Sequence, residues 1–546
     1  MSKGTFLTRR SALLGGAVAA GLATPATAQS LGDILRQSLQ APQTTPTQQQ
    51  QAPPAVPAVT GRQELAPLGY ALQFQGVRSL IDSGNFSGAR QLFEAGPAPA
   101  ATTEASAGGE QASRPARLFS TSDVFLTNCE MGLMGFDGAT FDSATTNFAA
   151  AHESVLGDRA QQTGTRWDRL RQTVSRSLRR GAAFVSGRDE IAVYRQRDYE
   201  RILQLNYLSL SYLVPGDRRA YNVNRLAIEE QDLARREFEE EIAEAQTRLG
   251  TARNEGATGA EAARATDAFS QEFEAYSGVA GRVPSAYVNP IGFYISGVTQ
   301  EITSVERPAL RGNARNSYQA ALDLIGRSPQ LTSAVTAMQA PPVPGQRVVH
   351  MIIGEGFAPS RQALLYGVPV AQQVVPVRIP IFVPNNSSIN RIDVVNSRNQ
   401  LIGRLDPMGD IEGMVMRSQQ DRMPQILIGV IASAWRSSQE QRFAAGMGEI
   451  ASRVMQYKQS FDSPDMRSWS SLPARFFVGR IVLPAGAQPI RINAYAGTQL
   501  RHSQTITPPG PDLQHSVIYG RTTDSVLSIE QPRRLWIDGI DEDVAQ

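Results

Sequence analysis

The sequence predicts an α+β protein: an irregular α-solenoid of stacked helical hairpins, followed by a β-sandwich-like domain that carries a helical insertion. Three observations lead there. Small and aromatic residues recur at helical spacing in three places before residue 340. After Ala340-Pro341-Pro342-Val343-Pro344-Gly345 the pattern changes to short runs rich in Val and Ile, as strands are. A stretch from Asp410 to Tyr457 then breaks the strand pattern with a helical one.

The helical reading starts at Asn128 to His152, expected to be two helices joined at Phe136-Asp137-Gly138. Phe141, Ala144, Phe148 and Ala151 are three or four residues apart and so share a face. Gly132, Ala144 and Ala151 let two backbones come close, and Phe148 fills the space beside them. Ala89 and Phe93 repeat that spacing in an earlier pair, 65–94, turned at Asp82-Ser83-Gly84-Asn85. Ala314, Tyr318 and Ala321 repeat it in a later one, Ala286 to Glu301 with Asn313 to Ile325. This spacing resembles the tetratricopeptide repeat (TPR), and the uneven intervals make the expected solenoid irregular. Between these pairs, Tyr199 to Val214 is a helix stopped by Pro215-Gly216-Asp217. Ala220 to Leu249 is a long charged helix with a narrow stripe at Phe238, Ile242, Ala245 and Leu249. Its pairs Arg235/Glu239 and Arg236/Glu240 stand at i,i+4. Gly250 to Ala263 reads as a flexible excursion.

The flanks place the chain outside the cytoplasm. Residues 1–28 read as a signal peptide: Arg9-Arg10 precede the weakly apolar run Ala12 to Ala23, and Ala26-Thr27-Ala28 offers a cleavage site. This resembles a Tat-type signal, with an ordinary Sec signal as the alternative. Export implies the periplasm. Residues 29–62 form a Gln/Pro linker too poor in apolar area to fold, 95–117 a flexible loop, and 531–546 an acidic tail. The helical domain is then 63–340 and the β-rich domain 345–530, with its helical insertion at 410–460. Loss of Lys3, Arg9 and Arg10 removes three of the positive charges behind the formal +2, leaving a mature chain near −1. Basic and acidic residues, 53 and 51, are interspersed almost one for one, which argues against a nucleic-acid partner. Cys129 is the single cysteine, so no intramolecular disulfide forms, and its place on a helix face suits core packing. No apolar run reaches the roughly twenty residues a membrane span needs.

Strands are expected at Arg347 to Ile353, Val374 to Val383 and Ile389 to Val395. In the insertion, Ile426 to Trp435 is the most apolar part and reads as a buried helix. From Ala474 the strand pattern resumes, with Phe477, Ile481 and Leu483 on one side and Arg480 and Val482 on the other. Pro484-Ala485-Gly486-Ala487 is expected to turn the chain so that Ile490 to Tyr495 returns antiparallel, and Val517 to Tyr519 and Ser525 to Ile529 to add edge strands.

Catalytic chemistry finds no foothold in the pattern. His152, His350, His502 and His515 stand far apart, and no His-Glu-x-x-His, Cys-x-x-Cys or Gly-x-Ser-x-Gly occurs, so neither metal nor cofactor is expected. Gly354-Glu355-Gly356-Phe357-Ala358-Pro359 begins like a phosphate loop, but Pro359 stands where a third glycine belongs, so it reads as a turn between strands. Asp189, Glu190, Asp198 and Glu200 read as helix-surface or capping charges. The densest motif is Asp465 to Arg475. Arg467 and Trp469 form either a ligand platform, since Trp stacks on sugars, or a structural corner over the next strand.

Asp465-x-Arg467-Ser468-Trp469-x-x-Leu472-Pro473-Ala474, followed by a strand and Leu483-Pro484-x-Gly486, resembles the C-terminal signature of a poorly characterised family of exported bacterial proteins. Asp198-Tyr199-Glu200 with Asn206-Tyr207-Leu208, Tyr287-Val288-Asn289-Pro290 with Tyr294-Ile295-Ser296-Gly297, and the turn at Gly354 to Pro359 are similar to its other motifs. The resemblance implies a TPR-like array before a β-rich domain, often as a lipoprotein, encoded by a gene that tends to lie beside those of lipoproteins similar to penicillin-binding-protein activators. Here no lipobox Cys follows the signal. The expectation is a non-enzymatic periplasmic scaffold or adaptor that binds protein partners in cell-envelope assembly. The alternative is a glycan- or peptidoglycan-binding protein or hydrolase using a cleft near Trp469.

Overall fold

The computed structural model describes residues 70–95, 124–160, 196–254, 277–370, 373–385, 387–423, 426, 467–486, 488–511 and 513–529. The expected signal peptide and Gln/Pro linker, residues 96–123, Asp189, Glu190, Asp465, residues 427–435 of the apolar part of the insertion and the expected acidic tail lie outside the described residues. So do the side chains of Phe238, Ile242, Ala245 and Leu249.

The helical half begins with α1 (Tyr70–Asp82) and α2 (Phe86–Ala95). Gly84 turns between them at φ 78°, a conformation open to glycine at no steric cost. Asn85 caps α2 by accepting the Gly88 N–H at 2.9 Å. Phe74, Val77 and Ile81 face Phe86, Ala89 and Phe93, all buried, because each set recurs at three and four residues. Next come α3 (Val124–Asp137) and α4 (Phe141–Ala160). From Cys129 to Asp137 every residue of α3 is buried, as a helix apolar on all sides should be. A Cβ at Gly132 would sit 2.8 Å from the Phe148 ring, so glycine is what admits that ring. Helices α5 (Asp198–Leu213) and α6 (Arg219–Asn254) are parted by Gly216 at φ 90°. Then α7 (Pro290–Thr303), α8 (Leu310–Ile325) and α9 (Pro329–Gln339) follow. Asn289 and Ser328 cap α7 and α9, each with Pro in the first turn where its missing N–H costs nothing.

The strands are β1 (Gln346–Glu355), β2 (Ser360–Val370), β3 (Gln373–Val383), β4 (Arg391–Asn396) and β5 (Leu401–Asp410), then helix α10 (Ile411–Asp421). After it come β6 (Arg475–Pro484), β7 (Ile490–Ala496), β8 (Gln499–Ile506), β9 (His515–Thr522) and β10 (Leu527–Ser528). Eight of them form one mixed sheet in the order β10-β9-β1-β6-β5-β4-β7-β8, while β2 and β3 pair with each other. Only β1 and β9 run parallel within the large sheet. Its two edges nearly meet: the Ile529 N–H donates to Gln504 Oε1 at 3.0 Å, and Gln504 Nε2 donates to the Ile529 carbonyl at 3.2 Å. The curl covers what would be open edges.

Strand alternation divides the side chains between two cores. Val349, Met351, Ile353, Phe477, Ile481, Leu483 and Ile518 fill the inside of the barrel-like sheet. Ile352, Phe476, Val478, Val517 and Tyr519 point outward and join one apolar cluster with the helices. Phe136 meets Tyr519 at 4.4 Å between ring centroids, and Tyr207 meets Phe476 at 5.9 Å.

This arrangement corrects the expected fold class. Among the described residues there is no TPR solenoid and no β-sandwich. Repeats in a solenoid contact chiefly their neighbours. Here hairpins distant in sequence share an interior with the outer face of a nearly closed sheet. The expected hairpin of β6 and β7 is also corrected: β6 pairs with β1 and β5, and β7 with β4 and β8. Strand β9 is flanked on both sides by β1 and β10, so it is not an edge. Strands β2, β5 and β8 were not expected, since Arg, Gly and Gln interrupt their Val/Ile signal. Residues 250–254 continue α6 rather than opening a loop.

Candidate functional site

Two buried polar clusters and one open cleft are the candidates. The first cluster is the Trp469 corner, which leads into β6. Trp469 is 2% exposed, and its Nε1 donates to Ser471 Oγ at 3.2 Å. Its ring lies 6.1 Å from Phe148 and 5.9 Å from Tyr207. Two carboxylates converge on this loop, and both are committed to its backbone. Glu130 of α3 accepts the N–H groups of Ser470 at 2.6 Å and Ser471 at 3.2 Å, and the Ser471 hydroxyl as well. Glu200 of α5 accepts the Trp469 N–H at 3.2 Å and its own helix's Arg197 N–H at 2.8 Å. A fully buried carboxylate is tolerable only when so saturated. Glu200 is therefore a capping residue as expected, but an interior one, not a surface charge.

Arg521 of β9 extends the corner, donating to the carbonyls of Gly356 at 2.7 Å and Ser471 at 2.9 Å. Asp137, at the end of α3, accepts the Tyr519 hydroxyl at 2.9 Å. Burial pushes the Asp137 carboxyl up to about 6, against the pull of Arg521 and Tyr519.

The second cluster joins α7 to the outer face of the sheet. The parallel register sets Val348 beside His515 and His350 beside Val517, so the two imidazoles are diagonal neighbours on one face. His350 Nε2 lies 3.4 Å from His515 Nδ1, with the rings 11° from parallel. Glu301 Oε2 lies 3.8 Å from His350 Nε2. Arg480 of β6 binds Glu301 Oε1 through Nη2 at 2.8 Å and Nε at 3.1 Å, and the Tyr318 hydroxyl donates to Oε2 at 2.8 Å. Burial drives His350 down to about 3 and His515 to about 4, so both are neutral near pH 7. Burial opposes ionisation of Glu301, yet the charge beside it holds the carboxyl below the usual carboxylate range. Since His350 is neutral above its own low value, the permanent charge responsible is Arg480's. Among the described residues the His350 Nδ1 atom has no hydrogen-bond partner.

Arg480 also lines an open cleft of about 630 Å³ between α9 and β6. Ser328, Thr332, Ser333 and Thr336 supply hydroxyls along one wall, and Arg327, Gln346 and Val482 stand around them. Among the described residues, no carboxylate, imidazole or thiol lines it. Among the described residues Arg327 has no ion-pair partner.

The residues singled out from sequence fall as follows. Gly132, Ala144, Phe148 and Ala151 meet in the α3–α4 interface, and Ala314, Tyr318 and Ala321 are buried on α8. Trp469 touches the first group, whereas Arg467, half-buried, opens the corner. Sequence reasoning missed Glu130, Glu301, His350, His515 and Arg480 as a set. One signal was present: His350, Arg480 and His515 stand in strongly apolar strands, and Glu130 and Glu301 in strongly apolar helices, where an unpaired polar group would be costly. Their partners lie up to 341 residues away and could not be named.

Comparison of the chain with protein-family models, curated proteins and solved structures finds no match. Among the described residues no helix is long and apolar enough to cross a membrane.

Proposed function

We propose that this chain is an exported, non-enzymatic adaptor of the bacterial cell envelope, which binds an acidic segment of a protein partner in the cleft between α9 and β6. The observation that carries this reading is the chemistry of the cleft. Its described lining residues offer hydroxyls, an amide and two guanidiniums for hydrogen bonding and include no base to activate a nucleophile. Arg327, without an ion pair of its own, supplies the charge that a carboxylate would meet. The Trp469 corner supports the same reading by default. A ring 2% exposed offers no face for a sugar, and the carboxylates beside it are saturated by backbone donors. Export rests on the Tat-like segment, and the envelope setting on the resemblance at Asp465 to Gly486.

The test is site-specific photo-crosslinking in cells expressing the full chain. A photoreactive residue at Thr336, exposed on the cleft wall, should give a discrete protein adduct whose yield falls several-fold with Arg327→Glu. The same probe at Leu401, exposed on β5, should not give it. An adduct indifferent to Arg327→Glu, or release of soluble fragments from peptidoglycan by the purified protein, would overturn the reading.

A further inference from the structure

We propose that Glu301, His350 and His515 form a binding site for one divalent transition-metal ion of the zinc and cobalt class, clamping α7 to the parallel pair β1 and β9. The ligand atoms of the three residues all lie within 4.8 Å of one another. Zinc holds nitrogen and oxygen ligands at roughly 2.0–2.2 Å, which puts neighbouring ligands of a tetrahedron about 3.3–3.5 Å apart. The two imidazole nitrogens are 3.4 Å apart, and Glu301 Oε2 is 3.8 Å from His350 Nε2. The spacing is thus close to a ligating one; the carboxylate is a few tenths of an ångström too far out, and the imidazoles, which now meet nearly head-on with centroids 5.6 Å apart, would turn slightly to aim both nitrogens at one ion. Two imidazoles and one carboxylate suit zinc, cobalt or nickel better than magnesium or calcium, which prefer oxygen.

Outer contacts also fit. Carboxylates that bind metals are themselves oriented by hydrogen bonds, and Glu301 receives the Tyr318 hydroxyl at 2.8 Å. Without an ion, the two facing nitrogens share one long 3.4 Å contact. An ion would satisfy both facing nitrogens together. Arg480 is the opposing feature, since its charge already neutralises Glu301. It also lines the open cleft, and turning outward there would release its bonds to Oε1 together with its 3.3 Å contact to Oε2. Metal binding and the cleft are thereby linked through one side chain, although the site does not depend on what the cleft binds.

The test is a Co²⁺ titration of the chelator-stripped mature protein. One equivalent should produce the visible bands of tetrahedral Co²⁺, displaced by Zn²⁺. His350→Gln and His515→Gln should each weaken uptake at least tenfold, while His502→Gln leaves it unchanged. Two shifted imidazole N–H resonances in the Co²⁺-loaded wild type would identify the ligands with no variant at all. Wild type taking up no Co²⁺ at one equivalent, uptake undiminished in both His variants, or a Co²⁺ protein without imidazole resonances would overturn the proposal.

Discussion

At the scale of single residues, the acids with raised pKa values make a signed prediction. Burial lifts Asp137 to about 6 and Glu355 to about 7, although Arg521 and Arg475 pull each the other way. In the unfolded chain both titrate near 4. Between about pH 4 and pH 6–7 the folded protein therefore keeps protons that the unfolded chain releases. The contribution of these groups to stability falls as pH rises through that window and is flat above it. Asp137→Asn and Glu355→Gln remove the titrating group. Denaturant unfolding from pH 4 to pH 8 should show each variant gaining on wild type with rising pH, by roughly 2–3 kcal/mol across the window. Variants that run parallel to wild type at every pH would show that these carboxyls are not held protonated by the fold.

At the scale of elements, glycine-to-ring contacts hold the helical hairpins together. A Cβ at Gly297 of α7 would lie 2.4 Å from the Tyr318 ring of α8, and the ring is pinned by its hydroxyl's bond to Glu301. Gly297→Ala should therefore destabilise the protein by about 1–3 kcal/mol. Gly312→Ala on the same helix pair, where a Cβ meets nothing within 4 Å, should be neutral or stabilising by up to about 1 kcal/mol. Thermal melts of the two variants side by side check this; equal shifts would dissociate the glycine from the ring. These contacts were legible in the sequence, because a hairpin packs residues only a turn and a loop apart. Ala144 with Phe148 and Ala314 with Tyr318 mark buried faces whatever those faces pack against. That is why the hairpins were found and the solenoid was not: a helix face says that it has a partner, not which one.

At the scale of the molecule, strand order was the hidden quantity. Phe477, Ile481 and Leu483 show by alternation which way β6 faces, and they do line the barrel-like interior. Nothing local says that β6 lies beside β1, or that β9 runs parallel to it from 165 residues away. The assumption that sequence neighbours pair placed β7 wrongly. The candidate sites inherit that limit. His350 and His515 become a pair only once β1 and β9 are adjacent, and Glu130 becomes the anchor of Trp469 only once α3 lies on the sheet. The cleft likewise needs α9 against β6, with Gln330 accepting the Arg480 N–H at 2.8 Å.

One interior running from the helices onto the outer face of the sheet is the claim on which the sites depend. Hydrogen exchange followed by mass spectrometry across a denaturant series tests it most directly, since each cooperative unit loses protection at its own midpoint. Amides of α3, α5, β1 and β9 should lose protection together, at a single denaturant concentration. Helices that stay protected after β1 and β9 have exchanged, or strands that outlast the helices, would contradict it.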